Sequence, residues 1–269
     1  MKNSGLNFTK MYGSGNDFVV IDNRAGVLKK NLPALAVRLC NRKFGIGADG
    51  LMLVERSFSA DFKMRIFNAD GSEAEMCGNG SRCIASFAYK NGIAGKDMVF
   101  ETLAGLISAK ITGEKVRVRL GDPSETLTGI ALDVSGRRLK ANFTNTGVPH
   151  AVLFTKALEK TDVQGLGRLI RYHKRFAPRG TNVNFVSVID DKTIKIRTYE
   201  RGVEGEALAC GTGSAAAAVI SSLLGYVKPP VSVITRSGLV LKIYFRRGAS
   251  GITDLFLEGD AVTVYHGKL

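Results

Sequence analysis

Four cysteines carry most of the reactive chemistry in the chain, and two of them share a setting: Cys77-Gly-Asn-Gly and Cys210-Gly-Thr-Gly. Each tetrapeptide opens an apolar run, 78–90 and 211–224, that reads as a helix. A helix start presents unpaired N–H donors and the positive end of the macrodipole. Glycines let a ligand approach that backbone closely, so the combination suits a carboxylate. A thiolate held at the same place is stabilised too, which makes the cysteine a stronger acid and a competent base near neutral pH.

Two such starts directed at one carboxylate would put a sulfur on either side of the adjacent carbon. One sulfur takes a proton from one face and the other returns a proton to the opposite face, inverting the stereocentre. Amide dipoles stabilise the carbanion between the two transfers. A single Cys-Gly before a helix more often reads as structural, with the thiol packed as a small apolar group. The duplication is what turns the reading toward catalysis. Cys83, inside the first helix, and Cys40 read as packing.

The duplication extends well beyond the cysteines. Segment 77–110 lies without a gap on 210–243, an offset of 133 residues, with Cys77, Gly78, Gly80, Ser81, Ala85, Gly92, Thr102 and Gly105 all repeated. In the same register Asp17 falls on His150, Gly47 on Gly180, Asn68 on Arg201 and Glu73 on Glu206. Two copies of about 130 residues mean two domains of one fold rather than a solenoid. Strand-like runs recur in both halves: 18–21, 51–55, 62–67, 98–102, 106–111 and 115–120, then 151–155, 184–189, 193–199, 231–235, 239–245 and 252–258. Shorter amphipathic helices are expected at 33–41 and 162–172. The second apolar helix (AAAAVISSLL) is apolar all round and should be buried on every side.

The expected fold is α/β (α+β): two pseudo-twofold-related domains, each a mostly antiparallel curved sheet around a central buried helix. The domains are expected at 1–121 and 122–260, with 261–269 returning to the first.

Composition narrows the function classes. The chain has 269 residues, 45% hydrophobic and 23% charged, with Lys+Arg exceeding Asp+Glu by 38 − 24 = 14. No apolar run approaches the roughly 18–20 residues of a membrane span, and 1–18 lacks the apolar core of a secretory signal. There is no CxxC pair, and His150, His173 and His266 stand apart, so neither a redox dithiol nor a structural zinc site is expected. No lysine sits in the phosphate-cradling context of a pyridoxal phosphate enzyme. The expectation is a cytoplasmic protein with reduced thiols, no cofactor and no metal. The charge admits a different class, a basic nucleic-acid-binding protein, which would bind with a steep salt dependence. The densest basic stretch, 168–179, reads instead as the solvated face and end of a helix beginning near Asp162.

FNADGSEAEMCGNGSRC (67–83) and YERGVEGEALACGTGS (199–214) closely resemble the two signature segments of the diaminopimelate epimerase family. GSGNDF (13–18), GIGADG (45–50), TGVPH (146–150) and GTNVNF (180–185) are also similar to that family. The resemblance implies a cofactor-independent isomerase that interconverts LL- and meso-2,6-diaminopimelate in lysine and peptidoglycan-precursor synthesis. It makes Cys77 and Cys210 the base and acid. Gly78-Asn79 and Gly211-Thr212 become the loops that hold the reacting carboxylate. Asn16, Asn68, Asn182, Glu200 and Arg201 become substrate-binding positions. Arg201 suits a carboxylate because its fork binds both oxygens, and Glu200 can accept from an ammonium group. His150 and Glu200 are implied to tune the thiols. Two positions depart from the family pattern: Val148, where many members have Asn, and Gly50, where some have Gln. Both touch the substrate-binding inventory rather than the thiols. A cofactor-independent racemase of another amino acid is the alternative within the same class. The expected partner is the small-molecule substrate, with no nucleic acid and no membrane, and a homodimer stays open.

Overall fold

In the computed structural model, residues 6–248 and 251–269 are described. They divide into two compact units. One runs up to Val118 and takes back Gly259–Leu269, and the other is Arg119–Glu258.

The first unit holds β1 (Asn7–Gly13), β2 (Asn16–Asp22), α1 (Leu32–Cys40), β3 (Gly50–Glu55), β4 (Phe62–Asn68), the short β5 (Glu73–Ala74), α2 (Gly78–Lys90), β6 (Asp97–Thr102), β7 (Gly105–Thr112) and β8 (Lys115–Arg119). The second holds β9 (Ser124–Val134), β10 (Arg137–Asn145), β11 (Pro149–Phe154), α3 (Val163–Arg171), β12 (Asn182–Val188), β13 (Thr193–Glu200), β14 (Gly205–Ala207), α4 (Gly211–Leu223), β15 (Val231–Ile234), β16 (Val240–Gly248) and β17 (Gly251–Asp260). β18 (Val262–Lys268) ends the chain.

The two units share one topology. In the first, β1–β2, β3–β4, β4–β5, β6–β7 and β7–β8 pair antiparallel, while β2–β3 and β4–β6 pair parallel. The second repeats this in the same order, with β11–β12 and β13–β15 as its parallel pairs. The terminal strand of each copy is exchanged. β9 follows the first copy in the chain but pairs antiparallel with β10 of the second unit, and β18 follows the second copy but pairs with β1.

Strand alternation explains how each sheet covers two helices. In β2 and β3, Phe18, Val20, Met52 and Val54 pack with Ile84, Ala85 and Ala88 of α2. The intervening Val19, Ile21, Leu51 and Leu53 pack with Leu32, Ala36 and Leu39 of α1. Successive side chains point to opposite faces, so an uninterrupted apolar run serves two cores. In the second unit Val152 and Val186 meet α4, whereas Ala151, Leu153, Val183 and Phe185 join Val163 and Ile170 of α3. The alanine-rich α4 is buried along 213–222, as its all-round apolarity requires. Val219 and Ile220 within it are fully buried, each contributing about 1.5–3 kcal/mol. Among the described residues no helix is long and apolar enough to cross a membrane.

Candidate active site

Both buried helices start at the cysteines. Cys77 is the N-cap of α2 and Cys210 the N-cap of α4, each in extended conformation before the helical turn begins. Cys77 Sγ accepts the Gly80 N–H at 3.4 Å, so this thiol engages a donor that the helix itself leaves unpaired. Cys210 Sγ lies 3.7 Å from Thr212 Oγ1 instead.

The glycines around them differ in purpose. Among the described residues, no atom comes within 4 Å of where a Cβ at Gly78 would stand, leaving that approach open to a ligand. At Gly80 a Cβ would lie 3.0 Å from Met52 Sδ, so the helix start packs down on β3. At Gly213 a Cβ would collide with Asn184 Oδ1 and lie 3.1 Å from Cys210 Sγ.

In the first unit, Asn79 is the connecting side chain. Its Nδ2 donates to Asn16 Oδ1 at 2.5 Å, and its Oδ1 accepts from Arg82 at 2.8 Å. Asn16 in turn donates to Asp49 at 3.1 Å. Behind Asn16, Asp17 pairs with Lys10 and Arg42 at 2.7 and 2.8 Å. Burial raises the pKa of Asp17, but hydrogen bonds from Arg42 and Lys10 outweigh it and hold the carboxyl at about 2. Asn68 turns to Ser72 Oγ at 2.9 Å within its own hairpin. Gly50 has no room for a side chain, since a Cβ would stand 2.9 Å from the Phe67 carbonyl oxygen.

In the second unit, His150 is wholly buried on β11. Asn184 Nδ2 lies 3.1 Å from His150 Nδ1 and also donates to the Ala151 carbonyl at 3.0 Å. Asn184 Oδ1 accepts from Thr198 Oγ1 at 3.0 Å, and the Ala151 carbonyl, which can only accept, fixes the amide orientation. His150 Nδ1 is therefore the acceptor and Nε2 carries the proton. Nε2 has no hydrogen-bond partner among the described residues. Burial, and then the charge of Arg201, push the imidazole down to about 3, so it is neutral in ordinary buffers. Asn182 Oδ1 accepts the Arg201 N–H at 2.8 Å and its Nδ2 donates to the Pro149 carbonyl at 3.0 Å. The Arg201 guanidinium reaches the Arg179 carbonyl at 3.2 Å. Burial raises the pKa of Glu200, at the end of β13. Thr146 Oγ1 donates to the Thr212 carbonyl at 2.9 Å and ties the β10–β11 turn to the first turn of α4. Within the basic stretch, Arg171 pairs with Glu204 at 3.2 Å.

The first unit thus gathers Cys77, Gly78, Asn79 and Asn16 at one helix start, and Asn68 keeps to its own turn. The second gathers Cys210, Thr212, His150, Asn182 and Arg201 around β11, β12 and α4. Sequence reasoning missed Arg82 and Asn184. Asn184 carried a usable signal, because Asn182 and Asn184 alternate on one face of a strand. Arg82 carried one in the repeat itself, where an arginine stands at the position of Ala215.

The fold is that of known isomerases and their relatives. A phenazine biosynthesis protein of the PhzF family from Bacillus anthracis superposes with a TM-score of 0.76 at 16% identity, covering 99% of each chain. A probable proline racemase from Agrobacterium radiobacter superposes with a TM-score of 0.70 at 18% identity, covering 98% of this chain and 92% of that one. At the sequence level, the model of the diaminopimelate epimerase family matches residues 8–126 and 142–264. The diaminopimelate epimerase of Aquifex aeolicus is 49% identical over 276 residues, covering 98% of each chain. Those of Hydrogenobaculum sp. and Archaeoglobus fulgidus are 47% and 44% identical, covering 97% of this chain and 97% and 95% of theirs. These full-length relatives make the chain an isomerase of the epimerase class. Within that class, the chain belongs to the diaminopimelate epimerase family.

Proposed function

We propose that this chain interconverts LL- and meso-2,6-diaminopimelate without a cofactor, with Cys77 and Cys210 as the two proton-transferring groups. The observation that carries the reading is the repeat. The same Cys-Gly-x-Gly opens a buried helix in each unit of a chain whose whole length matches diaminopimelate epimerases. The reading asks the two thiols to address one carbon from opposite sides. One sulfur, as thiolate, removes the α-hydrogen: the C–H bond breaks, an S–H bond forms, and the electron pair stays on the substrate. The carbanion then takes the proton of the other thiol, which becomes the thiolate. The enzyme ends with the charges of its two sulfurs exchanged, and either the return reaction or proton exchange with water after product release restores them.

The open N–H groups after Cys77 and Cys210 are suited to hold the reacting carboxylate as negative charge develops on it. Arg201 and Asn182 are suited to a carboxylate and Glu200 to an ammonium group. The unpartnered Nε2–H of His150 is a donor waiting for an acceptor, and an uncharged imidazole fits the thiol-tuning role that the family resemblance implies rather than carrying charge. The same reading places the chain in the cytoplasm, supplying a precursor of lysine and peptidoglycan. The test is direct: reduced protein, dialysed against chelator and free of pyridoxal phosphate, is incubated with LL-diaminopimelate. Formation of the meso isomer supports the reading, and no conversion, or conversion of another amino acid instead, overturns it.

A further inference from the structure

Two asparagines at the start of α2 have their amides oriented from both ends. Arg82, wholly buried one turn into the helix, can only donate. Its Nη2 donates to Asn79 Oδ1 at 2.8 Å and to Ser14 Oγ at 2.7 Å. The NH2 group of Asn79 therefore points the other way and donates to Asn16 Oδ1 at 2.5 Å. That leaves Asn16 its own NH2 to offer, and Nδ2 donates to Asp49 Oδ2 at 3.1 Å. An ionised carboxylate can only accept, so the relay has a fixed end here as it has a fixed start at the guanidinium. Flipping either amide would set donor against donor at one bond and acceptor against acceptor at the next.

Asp49, just before β3, is the end of this relay that the sequence left without a role. Both of its oxygens are engaged. Oδ2 accepts from the Asp17 N–H at 3.3 Å as well as from Asn16, and Oδ1 accepts from Arg42 at 2.8 Å. Its backbone joins in as well. The Asp49 N–H donates to the Asp17 carbonyl at 2.9 Å, and the Asp49 carbonyl accepts from the N–H of Ala69, next to Asn68, at 3.1 Å. Asp49 thus ties the start of β2 to the β4–β5 turn. The repeat supplies a second, independent observation. At the offset of 133 residues Asp49 falls on Asn182 and Asn16 on Pro149. Asn182 Nδ2 donates to the Pro149 carbonyl at 3.0 Å. In both units, then, this position clamps the first residue of the parallel neighbour strand, β2 or β11. It holds a side chain in the first unit and the backbone in the second.

We propose that Asp49 is a positioning residue whose carboxylate fixes the direction of the Asn16–Asn79 relay, and so holds the start of α2 ready for substrate. Without an acceptor at 49, Asn16 can present either end of its amide, and the Asn79 NH2 loses its fixed partner. Asn16, Gly78 and Asn79 are positions that the family resemblance gives to substrate. The consequence in turnover therefore rests on the epimerase reading, whereas the relay itself does not.

The first measurement uses reduced, isotope-labelled protein without substrate. The side-chain NH2 groups of Asn16 and Asn79 are assigned from N16S and N79S, and their order parameters are measured by NMR relaxation. Both groups should be rigid in the wild type, at about 0.8, and both should fall below about 0.6 in D49A. R42M removes the ion pairs but leaves both oxygens of Asp49, so Asn79 should stay rigid. Asn79 remaining rigid in folded D49A, or loosening equally in R42M, would overturn the proposal. If D49A does not fold, the wild type decides, since a mobile NH2 group on Asn16 or Asn79 there would also overturn it. With LL-diaminopimelate, D49A should raise KM by about tenfold, as for losing a hydrogen bond to a charged group, and change kcat less. In an N16A background the same substitution should change KM by no more than about twofold, because its effect passes through Asn16. Full additivity of D49A and N16A would contradict that route. A protein that does not turn over diaminopimelate fails the epimerase reading alone, because the order parameters are read without substrate.

Discussion

The starts of α2 and α4 have the same backbone and different side chains behind it. Cys77 has φ −141° and ψ 120°, and Cys210 has φ −123° and ψ 111°, each leading into a helix of 13 residues. Around Cys77 stand a buried guanidinium and two amides, Arg82, Asn79 and Asn16. In the second unit Thr212 Oγ1 lies 3.7 Å from Cys210 Sγ, and the neutral imidazole of His150 and the Asn184 amide stand on the adjacent strands. Duplication kept the element that presents N–H donors and a sulfur, since its geometry follows from the helix start itself. The side chains behind that element were free to diverge.

The largest expected effect separates the two sulfurs. A hydroxyl is a poor base near neutral pH, so Cys77→Ser and Cys210→Ser should each lower epimerisation by orders of magnitude, about 10³-fold or more. Each variant keeps one thiol. Residual α-hydrogen exchange, followed by NMR in deuterated water, should favour the LL isomer in one variant and the meso isomer in the other. Preference for the same isomer in both would break the assignment of one sulfur to each face.

A second, smaller contrast concerns the glycines. Gly213→Ala forces a Cβ against Asn184 and Cys210, and overpacking of this kind costs about 1–3 kcal/mol. Thermal unfolding should register it as a loss of several degrees. Gly78→Ala meets open space in a helical residue, so the melting temperature should hold or rise slightly. Its cost should appear in kcat/KM, because the added methyl stands where a ligand would approach. Equal destabilisation in both variants would mean that the two starts are not differently packed.

A third contrast is a difference in acid response at repeat-equivalent positions. His150 is neutral in the folded protein down to about pH 3 but takes a proton near pH 6.5 when unfolded. The unfolded state therefore binds the extra proton, and stability falls as pH drops from about 6.5 toward 3, by up to about 1.4 kcal/mol per pH unit from this one group. Its counterpart Asp17 is held at about 2, so its contribution is present above pH 4 and disappears only as pH falls from there toward 2. Urea unfolding of His150→Asn should show a shallower pH dependence between pH 6 and 4. Asp17→Asn should lower stability uniformly above pH 4 and change the pH dependence only in the more acidic range, and by less, because Asp17 is partly solvated and screened by salt. Matching pH profiles for the two variants would contradict the separate environments.

The chemistry of the chain was legible because it was duplicated. Cys-Gly-x-Gly marked both helix starts, and the apolar alternation of 18–21, 51–55 and 151–155 marked strands that serve two cores. β1, β9 and β10 escaped notice for a physical reason. β9 (SETLTGIALDV) is exposed along most of its length, and β1 and β10 mix lysine, arginine and asparagine into their runs, so no apolar period rises above the polar residues. The return of 261–269 to the first unit was expected, but the pairing of β9 with the second unit was hidden, since an exposed strand carries no sign of which unit it joins. At the site, residues with a motif were found, while Arg82 and Asn184 carried only faint signals, an arginine opposite Ala215 and an alternating pair of asparagines, and were picked out through their hydrogen bonds.

The central claim is that two separate sulfurs, one per face, move the proton. LL-diaminopimelate converted in deuterated water tests it most directly, with deuterium measured early in both the meso product and the recovered substrate. Two sulfurs predict product labelled at the inverted carbon and substrate still carrying its original hydrogen. Equal early labelling of substrate and product would mean a single shared base, and the account would fail.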